Sequence, residues 1–148
     1  MSNGVLPTPS AEHWNRRDAH AAEQPAANGI TDARSLAKLY AACVAEVDGV
    51  RLLSDETLSE ATRELAAGED RVIGFRNRFA SGFTLRSESL DLLSDASFGH
   101  LGAGGALGFG DVERKVGFGY VANQIGGGPA GDPRTAGLTA ALRESLGG

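Results

Sequence analysis

Cysteine occurs once in the 148 residues, tryptophan once and tyrosine twice, and aromatic residues make up 6% of the chain. A lone Cys43 cannot close an internal disulfide, and its apolar neighbours predict a small core side chain. No run approaches the ~20 apolar residues of a membrane span. The start Met1-Ser2-Asn3-Gly4 has neither the basic nor the apolar region of a secretory signal, so the sequence as written is expected to be cytoplasmic. Basic runs are absent beyond Arg16-Arg17, and the formal charge of -5 is spread along the chain, which argues against a nucleic-acid partner. Gly126-Gly127-Gly128 lacks the Lys-Ser/Thr ending of a phosphate cradle and reads as a connector. His13, Asp18 and His20 have no element to hold them in ligand geometry, so no metal site and no cofactor are expected.

What remains is the composition of a soluble globular protein, with 41% hydrophobic and 22% charged residues and 21 glycines. The length suits one folding unit or part of one. Residues 1–24 read as an irregular N-terminal segment, and residues 25–148 as the folded part.

A helix is predicted from Thr31, with Ala33, Leu36, Ala37, Tyr40, Val44 and Val47 as one apolar stripe. A second is predicted from Ser54, capped by its hydroxyl, with Leu58, Ala61, Thr62 and Leu65 inward and Gly68 as its end. Val72-Ile73-Gly74-Phe75 and residues 79–85 read as strands separated by Arg76-Asn77-Arg78, and residues 86–97 as a polar loop. Residues 104–110 and 115–123 form a predicted antiparallel hairpin. Asp132-Pro133 opens a last helix, with Ala136, Leu138, Ala141, Leu142 and Leu146 on its buried side. The order suggests an α+β fold, an antiparallel sheet with flanking helices.

The most informative run is Phe98-Gly99-His100-Leu101-Gly102-Ala103-Gly104-Gly105, continuing through Ala106-Leu107-Gly108-Phe109-Gly110-Asp111 to Val116-Gly117-Phe118-Gly119-Tyr120. It resembles the third-motif region of the family that unites class C β-lactamases, penicillin-binding proteins and family VIII carboxylesterases. In that family a Lys-Thr-Gly or His-Thr-Gly strand lies beside the nucleophile, and a glycine-rich hairpin and a terminal helix follow. Pro25-Ala26-Ala27-Asn28-Gly29, leading into Ala33-Arg34-Ser35-Leu36-Ala37-Lys38-Leu39-Tyr40, is similar to the helix preceding the motif strand in esterase-like members. Asp132-Pro133-Arg134 resembles the start of their final helix, so the likeness covers about residues 24–146.

The resemblance implies the C-terminal portion of a β-lactamase/transpeptidase-like fold, with site residues His100, Gly102 and Ala103. The Ala103 N–H would be one oxyanion donor and the nucleophile's own N–H the other. His100 would take the place of the motif lysine, orienting substrate or the proton network. Glycines without Cβ suit the close approach of a backbone to a reacting carbonyl. Leu101 replaces the usual Thr or Ser and cannot donate a hydroxyl hydrogen bond, which weighs against β-lactams and toward esters.

The family's Ser-x-x-Lys nucleophile and Tyr-x-Asn loop have no counterpart upstream of His100. Ser35-Leu36-Ala37-Lys38 has that spacing, but both functional residues project away from the apolar stripe toward solvent. Tyr40 and Tyr120 lie in apolar periodic segments and read as core. The expected function is therefore that of a carboxylesterase-like serine hydrolase represented without its nucleophile and inactive alone. Its partners would be a small-molecule ester for the complete enzyme, and an upstream fragment or a second copy of the chain. The alternatives are a non-catalytic binding or dimerisation module and a β-lactamase or D-Ala-D-Ala peptidase parent.

Overall fold

A computed structural model describes residues 11–72, 74–126 and 132–147. The chain divides into two compact units, Met1–Thr31 and Asp32–Gly148. In the first, where an irregular segment was expected, two short helices form, α1 (Ala11–Trp14) and α2 (Arg17–Ala21). His20 Nε2 meets the Trp14 carbonyl at 2.6 Å, and the Asn28 amide donates to the carbonyls of Ala19 and Ala22. The histidines and Asp18 thus take part in local packing, Asp18 as the ion-pair partner of Arg16.

The second unit is built on a six-stranded antiparallel sheet whose strands follow one another in sequence order. These are β1 (Ala66–Glu69), β2 (Arg76–Phe79), β3 (Thr84–Leu85), β4 (Ser97–Leu101), β5 (Leu107–Asp111) and β6 (Val116–Tyr120). Helices α3 (Ala33–Val44), α4 (Asp55–Thr62) and α5 (Pro133–Ser145) flank it. Three helix starts lie where side-chain chemistry puts them. Asp32 accepts the Ser35 N–H, Ser54 accepts the Thr57 N–H, and Asp132 accepts the Arg134 N–H one residue after Pro133.

Other expectations fail for tertiary reasons. The second helix stops at Thr62, not at Gly68, because residues 66–69 pair with residues 76–79 as β1 and β2, and Leu65 is exposed. Arg76-Asn77-Arg78, read as a separator, is strand. Its polar side chains are partly satisfied: Arg78 pairs with Glu64 and donates to the Arg86 carbonyl, and Ser89 donates to the Asn77 carbonyl oxygen, while the buried Asn77 amide nitrogen has no partner among the described residues. Val72 and Gly74, read as strand, lie in the β1–β2 turn, where Asp70 accepts the Val72 N–H. Ile73 lies outside the described residues, as do Gly127, Gly128 and Pro129 of the connector. The loop 86–95 is less polar than expected, since Leu90, Leu92 and Leu93 are buried.

Strand alternation divides the core into two layers. On one face Phe98 packs with Tyr40, Cys43 and Val44 of α3, Leu58 of α4 and Leu85. On the other, Leu107 and Phe109 pack with Leu90, Leu92, Leu93, Phe118 and Leu142 of α5, and the Phe109 and Phe118 rings stack 4.8 Å apart. The buried side of α5 is Thr135, Thr139 and Leu142, not the stripe through Leu138 and Leu146, both of which are exposed. Thr135 and Thr139 donate their hydroxyls to the Asp132 and Thr135 carbonyls. With the hydroxyl satisfied inside the helix, a threonine can be buried at little polar cost.

Helix α3 reaches the sheet over a patch with no side chains. The cross-strand pairs Gly108–Gly119 and Gly110–Gly117 form it. A Cβ on Gly117 would collide with the backbone of Ala37 and Ala41, and one on Gly119 with the backbone of Ala33 and Ala37. At Gly108 it would meet the Tyr40 ring and Leu36. The glycines here admit a helix, where the sequence had suggested room for a reacting carbonyl.

Gly117→Ala is accordingly expected to destabilise the fold by about 1–3 kcal/mol or more, because the obstacle is helix backbone that cannot rotate away. Gly137, in α5 with open space around it, is the control: Gly137→Ala should stabilise by up to about 1 kcal/mol. Urea midpoints of the two variants against wild type measure both.

Candidate active site

The motif strand β4 lies between β3 and β5, with His100 opposite Gly108 and Leu101 opposite Leu107. Alternation puts His100 on the α3 face with Phe98, but at the strand end, where its side chain is exposed. Its Nδ1 lies 2.6 Å from the Leu101 carbonyl. That oxygen can only accept, so Nδ1 carries a proton in this contact and Nε2 is the ring nitrogen left without a partner among the described residues.

Leu101 points to the opposite face and packs in the Leu90–Phe109 cluster. Its identity thus has a packing cause besides the missing hydroxyl. After it the chain turns: the Gly102 N–H donates to Ala106 at 2.7 Å and the Gly105 N–H to Gly102 at 3.0 Å, with Gly105 at φ +96°. Ala103 is exposed, and its N–H has no acceptor among the described residues. His100, Gly102 and Ala103 thus lie at one end of β4, on a turn where the Ala103 and Gly104 N–H groups have no acceptor among the described residues.

The space beside this turn is small. A cavity of about 20 Å³, bounded by Leu90, Leu101, Gly105 and Thr135, has room for about one water. A hollow of about 490 Å³ lies toward the other end of β4, between Leu58, Arg78, Leu85 and Ser97. Drug-sized ligands ordinarily occupy several hundred Å³, far more than this cavity holds.

Ser35 and Lys38 lie on the exposed side of α3. Lys38 pairs with Asp48 at 2.5 Å, which holds the Asp48 carboxyl below the usual carboxylate range. The two are not joined to His100. Tyr40 is buried against Phe98, with its phenol pushed up by desolvation, and Tyr120 is half-buried beside Leu107. Burial likewise pushes up the Cys43 thiol.

Sequence reasoning missed two polar centres. Asp111 is fully buried and accepts from Ser94, Ser97 and the Arg114 N–H, closing the β5–β6 hairpin onto the start of β4. Asp132 is buried at the start of α5, and Arg134 donating to its carboxylate holds that group below the usual range. The Ser-x-x-Ser spacing of Ser94 and Ser97 gave no specific signal, and Asp-Pro-Arg signalled only a helix start.

Leu101→Thr tests the packing account. It should cost about 1–3 kcal/mol through lost apolar contact and a desolvated hydroxyl. Thermal unfolding followed by circular dichroism measures it, and an unchanged midpoint would mean that Leu101 is not held in the cluster.

The family model described as Beta-lactamase matches residues 3–142. The Esterase/beta-lactamase LipL of Mycobacterium tuberculosis is 37% identical over 108 residues, which is 70% of this chain and 24% of that protein. Among solved structures, a family VIII carboxylesterase superposes with a TM-score of 0.84 at 38% identity, covering 93% of this chain and 38% of its own. EstA from Arthrobacter nitroguajacolicus gives 0.80 at 33% identity, covering 90% and 37%. A penicillin-binding protein homolog from Caulobacter crescentus gives 0.76 at 30%, covering 96% and 39%. The chain thus spans about a quarter of the curated relative's length and under two fifths of each of these structures. With sequence and fold matched over most of its residues, the chain belongs to the β-lactamase family, in its esterase-like branch.

Proposed function

We propose that this chain supplies the motif-strand half of a serine-hydrolase site that cleaves small-molecule carboxylic esters by acyl transfer. The observation that carries the reading is the exposed, unpaired Ala103 N–H on the turn that follows His100-Leu101-Gly102. In acyl transfer a serine Oγ attacks the ester carbonyl and its proton passes to a base. The tetrahedral oxyanion forms, collapses with loss of the alcohol, and water releases the acid. A donor already aimed outward and free of a partner suits the oxyanion. His100 Nε2, left without a partner by the Nδ1 hydrogen bond, suits orienting a substrate or the proton network.

The nucleophile and its lysine then belong to a segment outside these 148 residues, since Ser35 faces solvent and Lys38 is bound to Asp48. Leu101 offers no hydroxyl to a substrate carboxylate, which favours neutral esters over β-lactams. Without the serine the acyl route is closed, and the chain alone is inactive.

A second reading, a non-catalytic module that associates through its sheet edge, is favoured by β6, which has no second neighbour strand among the described residues and carries no charge. Pairing β6 with β6 of a second copy meets an obstacle. Strands sit about 4.8 Å apart, and α3 lies directly over β6, its backbone against Gly117 and Gly119. The two α3 helices would then be far closer than the 8–10 Å of packed helices. A strand without its own covering helix meets no such clash.

The purified chain, assayed with a short-chain p-nitrophenyl ester and a fluorophosphonate probe, should show neither turnover above background nor labelling. Labelling at Ser35, or turnover lost in Ser35→Ala, would overturn the assignment. The DNA upstream of Met1 separates the two readings independently: a Ser-x-x-Lys and Tyr-x-Asn region in any frame supports the first, and unrelated sequence supports the second.

A further inference from the structure

The start of α5 holds more than a helix cap. Asp132 Oδ1 accepts the Arg134 N–H at 2.9 Å, and the Arg134 side chain folds back so that Nε donates to both carboxylate oxygens at 2.9 Å and Nη2 donates to Oδ2. The Asp132 side chain is 3% exposed. Arg134 Nη1 donates to the Gln124 carbonyl at 3.2 Å.

This ion pair fills the space over two glycines. Where Gly105 would carry a Cβ lie the Asp132 carboxylate and Arg134 Nη2, and where Gly126 would carry one lies the Arg134 guanidinium. The Gly126 N–H in turn donates to Gly104 at 3.0 Å. The motif turn, the segment after β6 and the start of α5 therefore meet at one charged pair.

The geometry leads from that pair to the oxyanion donor. The Gly102 carbonyl and the Ala103 N–H belong to one planar trans peptide, so they point in opposite directions and cannot be aimed separately. The Gly102 carbonyl is held by the Gly105 N–H at 3.0 Å. Gly105, at φ +96°, is seated on the Asp132 carboxylate and Arg134.

We infer that Asp132 and Arg134 are positioning residues: through Gly105 and the Gly102 carbonyl they aim the Ala103 N–H. The inference rests on the acyl-transfer reading only in what the N–H is aimed for. A helix start needs no such pair, because serine or asparagine in place of Asp132 would cap α5 equally well.

That equivalence supplies the test. In ¹⁵N-labelled full chain, Asp132→Ser keeps a capping oxygen and removes the pair, and Arg134→Ala keeps the carboxylate cap and removes the fork. Both should shift or broaden the amide resonances of Gly102, Ala103 and Gly105 and speed exchange of the Gly105 N–H by about tenfold, the scale of one lost hydrogen bond. Amides of β1 and β2 should stay in place, and Asp132→Ser should leave the first turn of α5 protected. Arg134→Lys keeps the charge without the planar fork and should not restore the wild-type Ala103 position. Turn resonances at wild-type positions in both Asp132→Ser and Arg134→Ala would overturn the inference, leaving Asp132 a cap. Should Asp132→Ser not fold, Arg134→Ala decides alone. The readout needs no substrate. Failure of the acyl-transfer reading would appear as Ser35 labelling with these shifts intact.

Discussion

Helix α3 rests on β6 backbone to backbone and packs its Leu36, Tyr40 and Val44 side chains over the β5 glycines, and much of the folded unit follows from that close approach. Gly108, Gly110, Gly117 and Gly119 occupy one face of the hairpin, and the small residues Ala33, Ala37 and Ala41 return on α3 every fourth position to meet it. With no side chains between helix and sheet, the larger groups move to the flanks. Tyr40 and Val44 reach past the glycines to Phe98, and Phe109, Phe118 and Leu107 turn to the opposite face under α5. A patch of this kind fixes the lateral position of the helix, because a methyl added at Gly117 or Gly119 meets main chain and one added at Gly108 or Gly110 meets the side chains of Leu36, Tyr40, Val44 and Phe98.

The same arrangement settles what the motif strand presents. β4 is flanked by β3 and β5 and covered on both faces along most of its length, so only its last residues and the following turn reach solvent. His100 emerges on the α3 side at the strand end, Leu101 turns inward on the other, and the turn from Gly102 to Gly105 is braced from below by the Asp132–Arg134 pair. The groups this end presents are the Ala103 N–H and the His100 imidazole. The cavity beside it has room for about one water, and no hydrogen bond joins a serine hydroxyl to His100 among the described residues.

Legibility in the sequence followed how local each signal was. Ser54 and the Asp132-Pro133 step act on the N–H groups of the next turn, so those helix starts were readable from them, while the first helix, expected from Thr31, begins at Ala33 with Asp32 as its cap. The hairpin at residues 107–120 was readable from its density of glycine and apolar residues, and the motif end from the His-Leu-Gly run. β1 and β2 were not. Their partners are each other, Arg76-Asn77-Arg78 is polar, and the apolar Val72 sits at the turn. On α5 two faces compete, and the threonine face is buried because its hydroxyls bond within the helix, a fact invisible to a hydrophobicity pattern. The role of the glycines was misread although a signal existed: Gly108-x-Gly110 and Gly117-x-Gly119 alternate with period two, which places all four on one face opposite an alanine-spaced helix. The Asp132–Arg134 pair escaped because its partners, Gly105 and Gly126, are glycines whose contribution is the side chain they lack.

Under the proposed function this chain supplies one half of an acyl-transfer site, and the other half belongs to the part of the family domain that it does not span. Joining the chain to the remaining portion of the 38%-identical family VIII carboxylesterase, in place of that enzyme's matching segment, tests it most directly. The account predicts p-nitrophenyl ester hydrolysis well above that of either part alone, and its loss when Gly105→Ala displaces the Asp132–Arg134 pair beneath the turn. A joined protein that folds, is labelled by a fluorophosphonate in its carboxylesterase-derived part, and still turns over no faster than that part alone would contradict it.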